Sequence, residues 1–471
     1  MKIIHISAEC YPVAKVGGLA DVVGTLSRYQ SREGHLVQVV IPCYETNFIK
    51  ENEFETVFWS QVELGNFNFP FSVLKGVKND LDFELYLIAI PELFDRAEIY
   101  GYKDDIERFL SFQKAFLDWL ITVNDKPTII NCHDHHTALL PFMINYASKY
   151  VALKEVPTLL TVHNAIYQGQ FGFDKLHYFP NYDLSKTDIL QWNGCINSMA
   201  VGLRCARAIT TVSPNYLNEI NYSGNGMEML FNQVRYKSKG ILNGIDIEIW
   251  NPETDSKIAY NYTAENCEVG KSKNKQKLCK TFDLDPEKPL ICFIGRLFPE
   301  KGADLLCEFS KKSLSEKDRE LNILILGSGN RDIEEQLTDL VSEYNGNYNV
   351  YIGFSEELAH LIYAGSDFLL MPSRTESCGL NQMYAYRYGT IPIVRSTGGL
   401  KDTVVDLDEG GCGICFNQAS VEDMIKAKNR ALEFYKEEEK VITTRKSGMR
   451  LNHSWKKAYQ EYLEMYNLII K

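Results

Sequence analysis

The sequence predicts an α/β protein made of two tandem domains, each with a parallel sheet covered by helices on both faces. Three observations carry this. Apolar runs typical of buried strands alternate with helix-periodic segments along the 471 residues. The alternation pauses once, near residues 235–250, and then resumes. Each half also opens on a strand followed by a glycine-and-lysine loop. Lys15-Val16-Gly17-Gly18-Leu19 follows residues 2–7, and Gly295-Arg296 with Lys301-Gly302 follows residues 290–294. Alternating strands and helices imply parallel pairing, because a parallel neighbour needs a crossover connection.

The elements follow in order. Residues 2–7 read as a strand and 19–30 as a helix. Residues 35–42 are a nearly continuous apolar run, which suits a sheet buried on both faces. Residues 54–64, 71–75 and 83–90 have strand character with a period of two. Phe109, Phe112, Phe116 and Leu120 recur at helical spacing within 106–123. Strands are expected at 128–132, 158–162 and 208–212, each ending in polar residues. The polar stretches 251–255 and 266–277 read as irregular. A second series has strands at 290–294, 322–326, 350–352, 368–371 and 391–394, with helices at 331–344, 356–364 and 380–388. Gly389 is placed to end the last of these helices. The final helix, 454–469, carries an aromatic face of Trp455, Tyr459, Tyr462 and Tyr466 that must be buried. The expected domains are 1–240 and 241–453, with 454–471 packing back on the first.

Composition narrows the function. Fifty Lys and Arg against 62 Asp and Glu give a net charge of −12, which argues against nucleic acid as a partner. No apolar run approaches the roughly 18–20 residues of a membrane helix. His5 and Glu9 interrupt the N-terminus too early for a signal peptide, so a cytoplasmic protein is expected. The twelve cysteines are scattered, many inside apolar runs, as small core residues would be. Cys412-Gly413-Ile414-Cys415 has no second pair to complete a zinc site and reads as a glycine-rich turn entering a strand.

Both loops suit an anion. Glycine lets backbone N–H groups approach a phosphate, and a nearby Lys or Arg supplies charge. Two such loops suggest one bridged diphosphate, as in a nucleotide-sugar, held between the domains. Gly327-Ser328-Gly329 lacks the third glycine of a dinucleotide fingerprint, so redox chemistry is weakly supported; a nucleotide contact and an ordinary turn remain equal readings. Glu376 stands in a polar loop between a strand and a helix start, either as a helix-end charge or facing a sugar that develops positive charge. His133-Asp134-His135-His136 is crowded into one loop, which disfavours a metal, and no metal is expected. His163-Asn164 follows another strand end, where α/β sites gather.

Taken together, these motifs resemble those of bacterial glycogen synthases and plant starch synthases, retaining glucosyltransferases of the GT-B fold. The resemblance rests on the Lys15–Leu19 loop with Asp21, on His133-Asp134, and on His163-Asn164 with Tyr167-Gln168-Gly169. It also rests on Thr210–Pro214, Gly240–Asp246, Gly295-Arg296 with Lys301-Gly302, Pro372–Leu380 and Thr397–Val404, all in order. It implies two Rossmann-like domains facing across a deep cleft. It implies transfer of glucose from ADP-glucose, or UDP-glucose, to the non-reducing end of an α-1,4-glucan, with no cofactor. Lys15, Gly17 and Gly18 would meet the donor from the first domain, and Arg296 and Lys301 would hold its diphosphate from the second. Phe354 would lie against the nucleobase, at a position where the family more often has Tyr. Asp21, Asp134, His163, Asn164 and Asn243 would line the glucose and acceptor region. Glu376 and the amides of Cys378, Gly379 and Leu380 would face the transferred glucose. His135 stands where the family usually has Trp, and Thr375 and Ser377 replace its Phe and Pro. Two competing readings share the scaffold. A phosphorylase would need a Schiff-base lysine, for which no motif is found. A non-catalytic glucan-binding protein would not need Lys15, Arg296, Lys301 and Glu376 together.

Overall fold

The first strand, β1 (Lys2–Ile6), is almost wholly buried, with His5 among its isoleucines, and the first sheet is built outward from it. The computed structural model describes residues 1–77, 80–315 and 320–470. It separates into one unit of Met1–Gly244 joined by the segment from Trp455 onward, and a second unit of Ile245–Ser454.

In the first unit, β1 pairs in parallel with β2 (Leu36–Pro42), which pairs with β5 (Glu84–Ala89). The hairpin β3 (Phe54–Leu64) and β4 (Phe67–Gly76) adds antiparallel strands at that edge. On the other side of β1 come β6 (Ile129–His133) and β7 (Thr158–Val162). A small antiparallel sheet, β8 (Gln170–Phe171), β9 (Gln191–Trp192) and β10 (Cys195–Asn197), lies in the following connection. β11 (Ala208–Thr211) and β12 (Ser238–Gly240) complete a nine-stranded sheet of order β12-β11-β7-β6-β1-β2-β5-β4-β3. The order reverses between β1 and β6, so loops leaving their C-terminal ends splay apart there and open a crevice.

The helix Trp455–Ile470 buries Trp455, Ala458, Tyr459, Tyr462, Met465, Tyr466 and Ile469, the stripe expected of one helical face. These pack with Ile3, Val22, Leu26, Ile129 and Leu159 of the first unit. Burying each large apolar side chain contributes roughly 1.5–3 kcal/mol.

The second unit holds β13 (Leu290–Ile294), β14 (Asn322–Gly327), β15 (Tyr348–Ile352), β16 (Phe368–Met371), β17 (Ile391–Arg395) and β18 (Ile414–Phe416). All pair in parallel, in the order β15-β14-β13-β16-β17-β18. Here the order reverses between β13 and β16. Gly389, with φ 67, follows the helix Asn381–Arg387 in the left-handed conformation that glycine supplies at a helix end.

The stretch 266–277, expected to be irregular, is helical from its second residue on, in Cys267–Phe282. Its inward face is polar, which hides the helical period. Lys271 donates to the carbonyls of Tyr363, Ala364 and Tyr388 and to the Thr390 hydroxyl. Lys275 pairs with the buried Asp367, which Arg445 also contacts. Buried cations at a helix face need such partners, and here each has them.

Candidate active site

In the first unit the residues of interest sit at strand ends on both sides of the β1/β6 reversal. Gly17 precedes the helix Gly18–Arg32, whose first amides point outward. Lys15 Nζ pairs with Asp21 Oδ1 at 2.7 Å and lies over the Tyr11 ring. Glu9, buried at the tip of β1, accepts the Val16 amide at 2.5 Å and the Gly17 amide at 3.0 Å through Oε2. Its Oε1 accepts the Tyr100 hydroxyl at 2.7 Å. Burial raises the Glu9 carboxyl, and these hydrogen bonds act against that. In the sequence Glu9 registers only as a break in the N-terminal apolar run. Its signal was a carboxylate at a strand tip just before the glycine loop.

Asp134 follows β6 with φ 55, a left-handed conformation that Asp tolerates better than most residues. Its Oδ1 accepts the backbone amides of His163 at 2.7 Å and Asn164 at 3.3 Å, which ties the ends of β6 and β7 together. Burial pushes the Asp134 carboxyl up to about 7. His163 is buried and bonded to His133, and Asn164 turns its own Oδ1 back to the Ile166 amide. His135 and His136 lie ring against ring at 3.7 Å, with His136 also against Tyr100 and Phe109. Among the described residues no group of three or more His, Cys, Asp or Glu is placed to hold a metal ion. Asn243 is buried, and its Oδ1 meets no donor among the described residues.

In the second unit the loops after β13 and β16 are stitched together at the strand-order reversal. The Glu300 carbonyl accepts the amides of Arg374 and Thr375, and Arg374 pairs through both terminal nitrogens with Asp304. Lys301 Nζ lies 2.7 and 2.8 Å from the two carboxylate oxygens of Glu376. Ser373 Oγ donates to Glu376 Oε2 at 2.9 Å. Glu376 is 6% exposed, so its charge is held almost wholly by these partners. Arg296 pairs with Glu300 at 2.5 Å.

Glycines allow this loop its shape. A Cβ on Gly398, at φ +47, would sit 1.7 Å from the Glu376 carbonyl oxygen. The Gly399 amide donates to that same carbonyl at 3.0 Å. Gln382 Nε2 gathers the carbonyls of Cys378 and Gly379, and Leu380 precedes the helix Asn381–Arg387. Phe354 follows β15 and is 76% exposed, a ring presented outward. In the Gly327-Ser328-Gly329 turn, the Gly329 amide donates to Glu334, and Ser328 accepts the Leu297 amide. That turn packs against the Arg296 loop.

Residues 2–233 match the family model described as starch synthase catalytic domain, and residues 274–447 match that of glycosyl transferases group 1. A glycogen synthase from Flavobacterium johnsoniae is 64% identical over 471 residues, covering all of both chains. The chain belongs to the glycogen synthase family. Glycogen synthases are retaining glycosyltransferases, and the two parallel-sheet units are those of the GT-B fold. A glycogen synthase from Finegoldia magna is 36% identical over 482 aligned positions, again covering both chains fully. The catalytic domain of starch synthase IV from Arabidopsis thaliana, solved bound to ADP and acarbose, superposes with a TM-score of 0.91 at 30% identity. That match covers 100% of this chain and 99% of the other. Among the described residues no helix is long and apolar enough to cross a membrane.

Proposed function

We propose that the chain transfers glucose from ADP-glucose to the non-reducing 4-hydroxyl of an α-1,4-glucan, keeping the α configuration. The observation that carries this reading is the Lys301–Glu376 pair at the β13/β16 reversal. A buried carboxylate beside an anion site is costly unless a cation faces it. Lys301 faces it in this structure, and an oxocarbenium-like hexose takes that place during transfer. Lys301 then turns to the diphosphate, joined by Arg296 as it leaves Glu300. Their charges offset the one that grows on the leaving group, the electrostatic contribution that commonly dominates such catalysis. A front-face departure, with the leaving phosphate taking the acceptor proton, needs no further base on this face of the sugar.

The first unit supplies Lys15, Gly17 and Gly18 to the donor. The Gly17 amide is already paired with Glu9, so Gly18 and Leu19 offer the first amides of the helix. Asp21, Asp134, His163, Asn164 and Asn243 line the glucose and acceptor. The buried, undonated Oδ1 of Asn243 supports this, because a sugar hydroxyl would satisfy it. Cys378, Gly379 and Leu380 turn their amides to the transferred glucose, and Phe354 stacks on the adenine. The ADP bound to the Arabidopsis starch synthase favours adenine over uracil.

Release of nucleoside diphosphate, measured with ADP-glucose and UDP-glucose in parallel, tests the reading. Glycogen-dependent ADP release that exceeds UDP release is expected. No glycogen-dependent release from either donor overturns the transfer, and faster UDP release overturns the choice of base.

A further inference from the structure

Three imidazoles run in line through the first unit. The Gln30 side-chain oxygen Oε1 lies 2.8 Å from His5 Nε2, His5 Nδ1 meets His133 Nε2 at 3.0 Å, and His133 Nδ1 meets His163 Nε2 at 2.9 Å. Two polar groups flank the line. The Asn131 amide lies 2.8 Å from His133 Nε2 and 3.1 Å from Thr161 Oγ1, and the Tyr466 hydroxyl lies 3.1 Å from the Gln30 amide. All of these side chains are buried.

Burial lowers His5 to about 4 and His163 to about 3, and drives His133 well below its usual value. Each ring is therefore neutral near pH 7 and carries one N–H. A neutral imidazole that donates from one nitrogen accepts at the other, so the three rings are protonated in step. Two arrangements satisfy that rule. In the first, every ring donates toward Gln30, and His163 carries its proton on Nε2. Asn131 must then turn its carbonyl to His133. The Tyr466 hydroxyl would face only the N–H groups of Gln30 and Asn131, its own proton lacking an acceptor among these neighbours. In the second, every ring donates toward His163. Here Gln30 must turn its side-chain amide over, so that Tyr466 donates to the Gln30 carbonyl and Gln30 donates to His5, while Asn131 keeps its placement and donates to both His133 and Thr161. Thr161 in turn shares its hydroxyl with Thr210 at 2.9 Å. Buried donors are almost always paired, and this arrangement gives each of them an acceptor, with the lone pair of His133 Nε2 shared between His5 and Asn131.

We infer that His5 and Gln30 are positioning residues for glucosyl transfer, acting through His133 to hold His163 as an N–H donor from Nδ1. The inference rests on the reading that His163 lies against the sugar. Nδ1 is the nitrogen of His163 outside the chain, and its proton is then fixed toward a sugar oxygen before substrate arrives. Such pre-set donors need no reorganisation at the moment of reaction. Gln30 lies on the helix Gly18–Arg32 and Tyr466 on Trp455–Ile470, so both helices help to orient a group at the tip of β7.

Full-length protein carrying 15N-histidine gives the test. A two-bond proton–nitrogen correlation spectrum separates protonated from bare ring nitrogens, and His163→Gln assigns the His163 signals. Protonated Nδ1 with bare Nε2 at His163 is expected; the reverse overturns the inference. His5→Leu should erase that single pattern. It should also lower kcat by about tenfold to a hundredfold, the usual cost of losing an orienting partner. The donor KM should change by less than about threefold, since binding is not what is lost. His5→Asn keeps an N–H where Nδ1 stood and should restore most of kcat and the pattern. An unaltered His163 spectrum in His5→Leu, or equal kcat in His5→Leu and His5→Asn, overturns the inference. Gln30→Met, which removes the end donor, gives the same readings should His5→Leu fail to fold. Wild-type kcat in His163→Gln removes the site reading and this inference with it, whereas spectra that disagree remove the inference alone.

Discussion

Replacing Glu376 by Gln separates binding from chemistry. The substitution keeps the shape of the side chain and its bond from Ser373 but deletes the charge that holds Lys301. The Lys301 side chain is 26% exposed and that of Glu376 7%, so the pair lies between surface and interior. Exposed pairs contribute about 0.2–1 kcal/mol, and breaking a fully buried pair costs about 3–5 kcal/mol. A contribution of about 1–2 kcal/mol is reasonable here. Lys301 must give it up to reach a diphosphate, so removing it should tighten ADP binding by about five- to thirtyfold. Turnover should move the other way, falling at least about a hundredfold, because the charge that stabilises the oxocarbenium-like sugar is gone. Calorimetric titration with ADP and a glycogen-dependent ADP-release assay measure the two effects. Lys301→Met is the counterpart and should weaken ADP by about tenfold to a hundredfold, the loss of one charge-assisted hydrogen bond. Wild-type turnover in Glu376→Gln, or ADP binding weakened to the level of Lys301→Met, would refute the exchange.

Further substitutions probe the rest of the site. Asp134 has a folded pKa of about 7, above its ordinary value of 3.8, so the folded state binds the extra proton between them. Its stabilisation is complete below the lower value and is lost as pH rises through the higher, at up to about 1.4 kcal/mol per pH unit. Wild-type stability minus that of Asp134→Asn, from urea unfolding, should therefore fall between pH 5 and pH 7; a flat difference contradicts the raised carboxyl. Gly398→Ala forces a Cβ into the Glu376 carbonyl and should cost at least about 2 kcal/mol together with most activity. Gly410→Ala, also at positive φ but with open space, should cost only about 1–2 kcal/mol and leave turnover intact. Equal effects would mean that the close approach is unimportant. Phe354→Ala should raise the ADP-glucose KM by about two- to tenfold through lost stacking, and an unchanged KM removes the base contact.

Much of the scaffold was legible because a strand buried on both faces is largely apolar. Residues 36–42, 158–162 and 290–294 show that signal and form β2, β7 and β13. The short strands β8 and β9 are too brief to leave one. The helix Cys267–Phe282 was missed because it buries polar residues, and its buried lysines find their partners 92 or more positions along the chain. Lys301 and Glu376 were both recognisable as charged loop residues at strand ends, but their bond was not, since it depends on β13 lying beside β16. The imidazole line depends likewise on neighbours in the sheet. His5 lies opposite Asn131 and His133 opposite Thr161, which brings together rings 128 and 30 positions apart. Glu9 was given no role because two of its partners are backbone amides and the third, Tyr100, lies 91 positions away.

The helix Trp455–Ile470 belongs to the unit that begins at Met1. Translation therefore delivers the whole of Ile245–Ser454 before the earlier unit receives its last helix. Until then Ile3, Ile129 and Leu159 lack part of their cover, and Gln30 lacks Tyr466. A nascent chain arrested near residue 450 should hold the later sheet in native form while the earlier one still yields to protease.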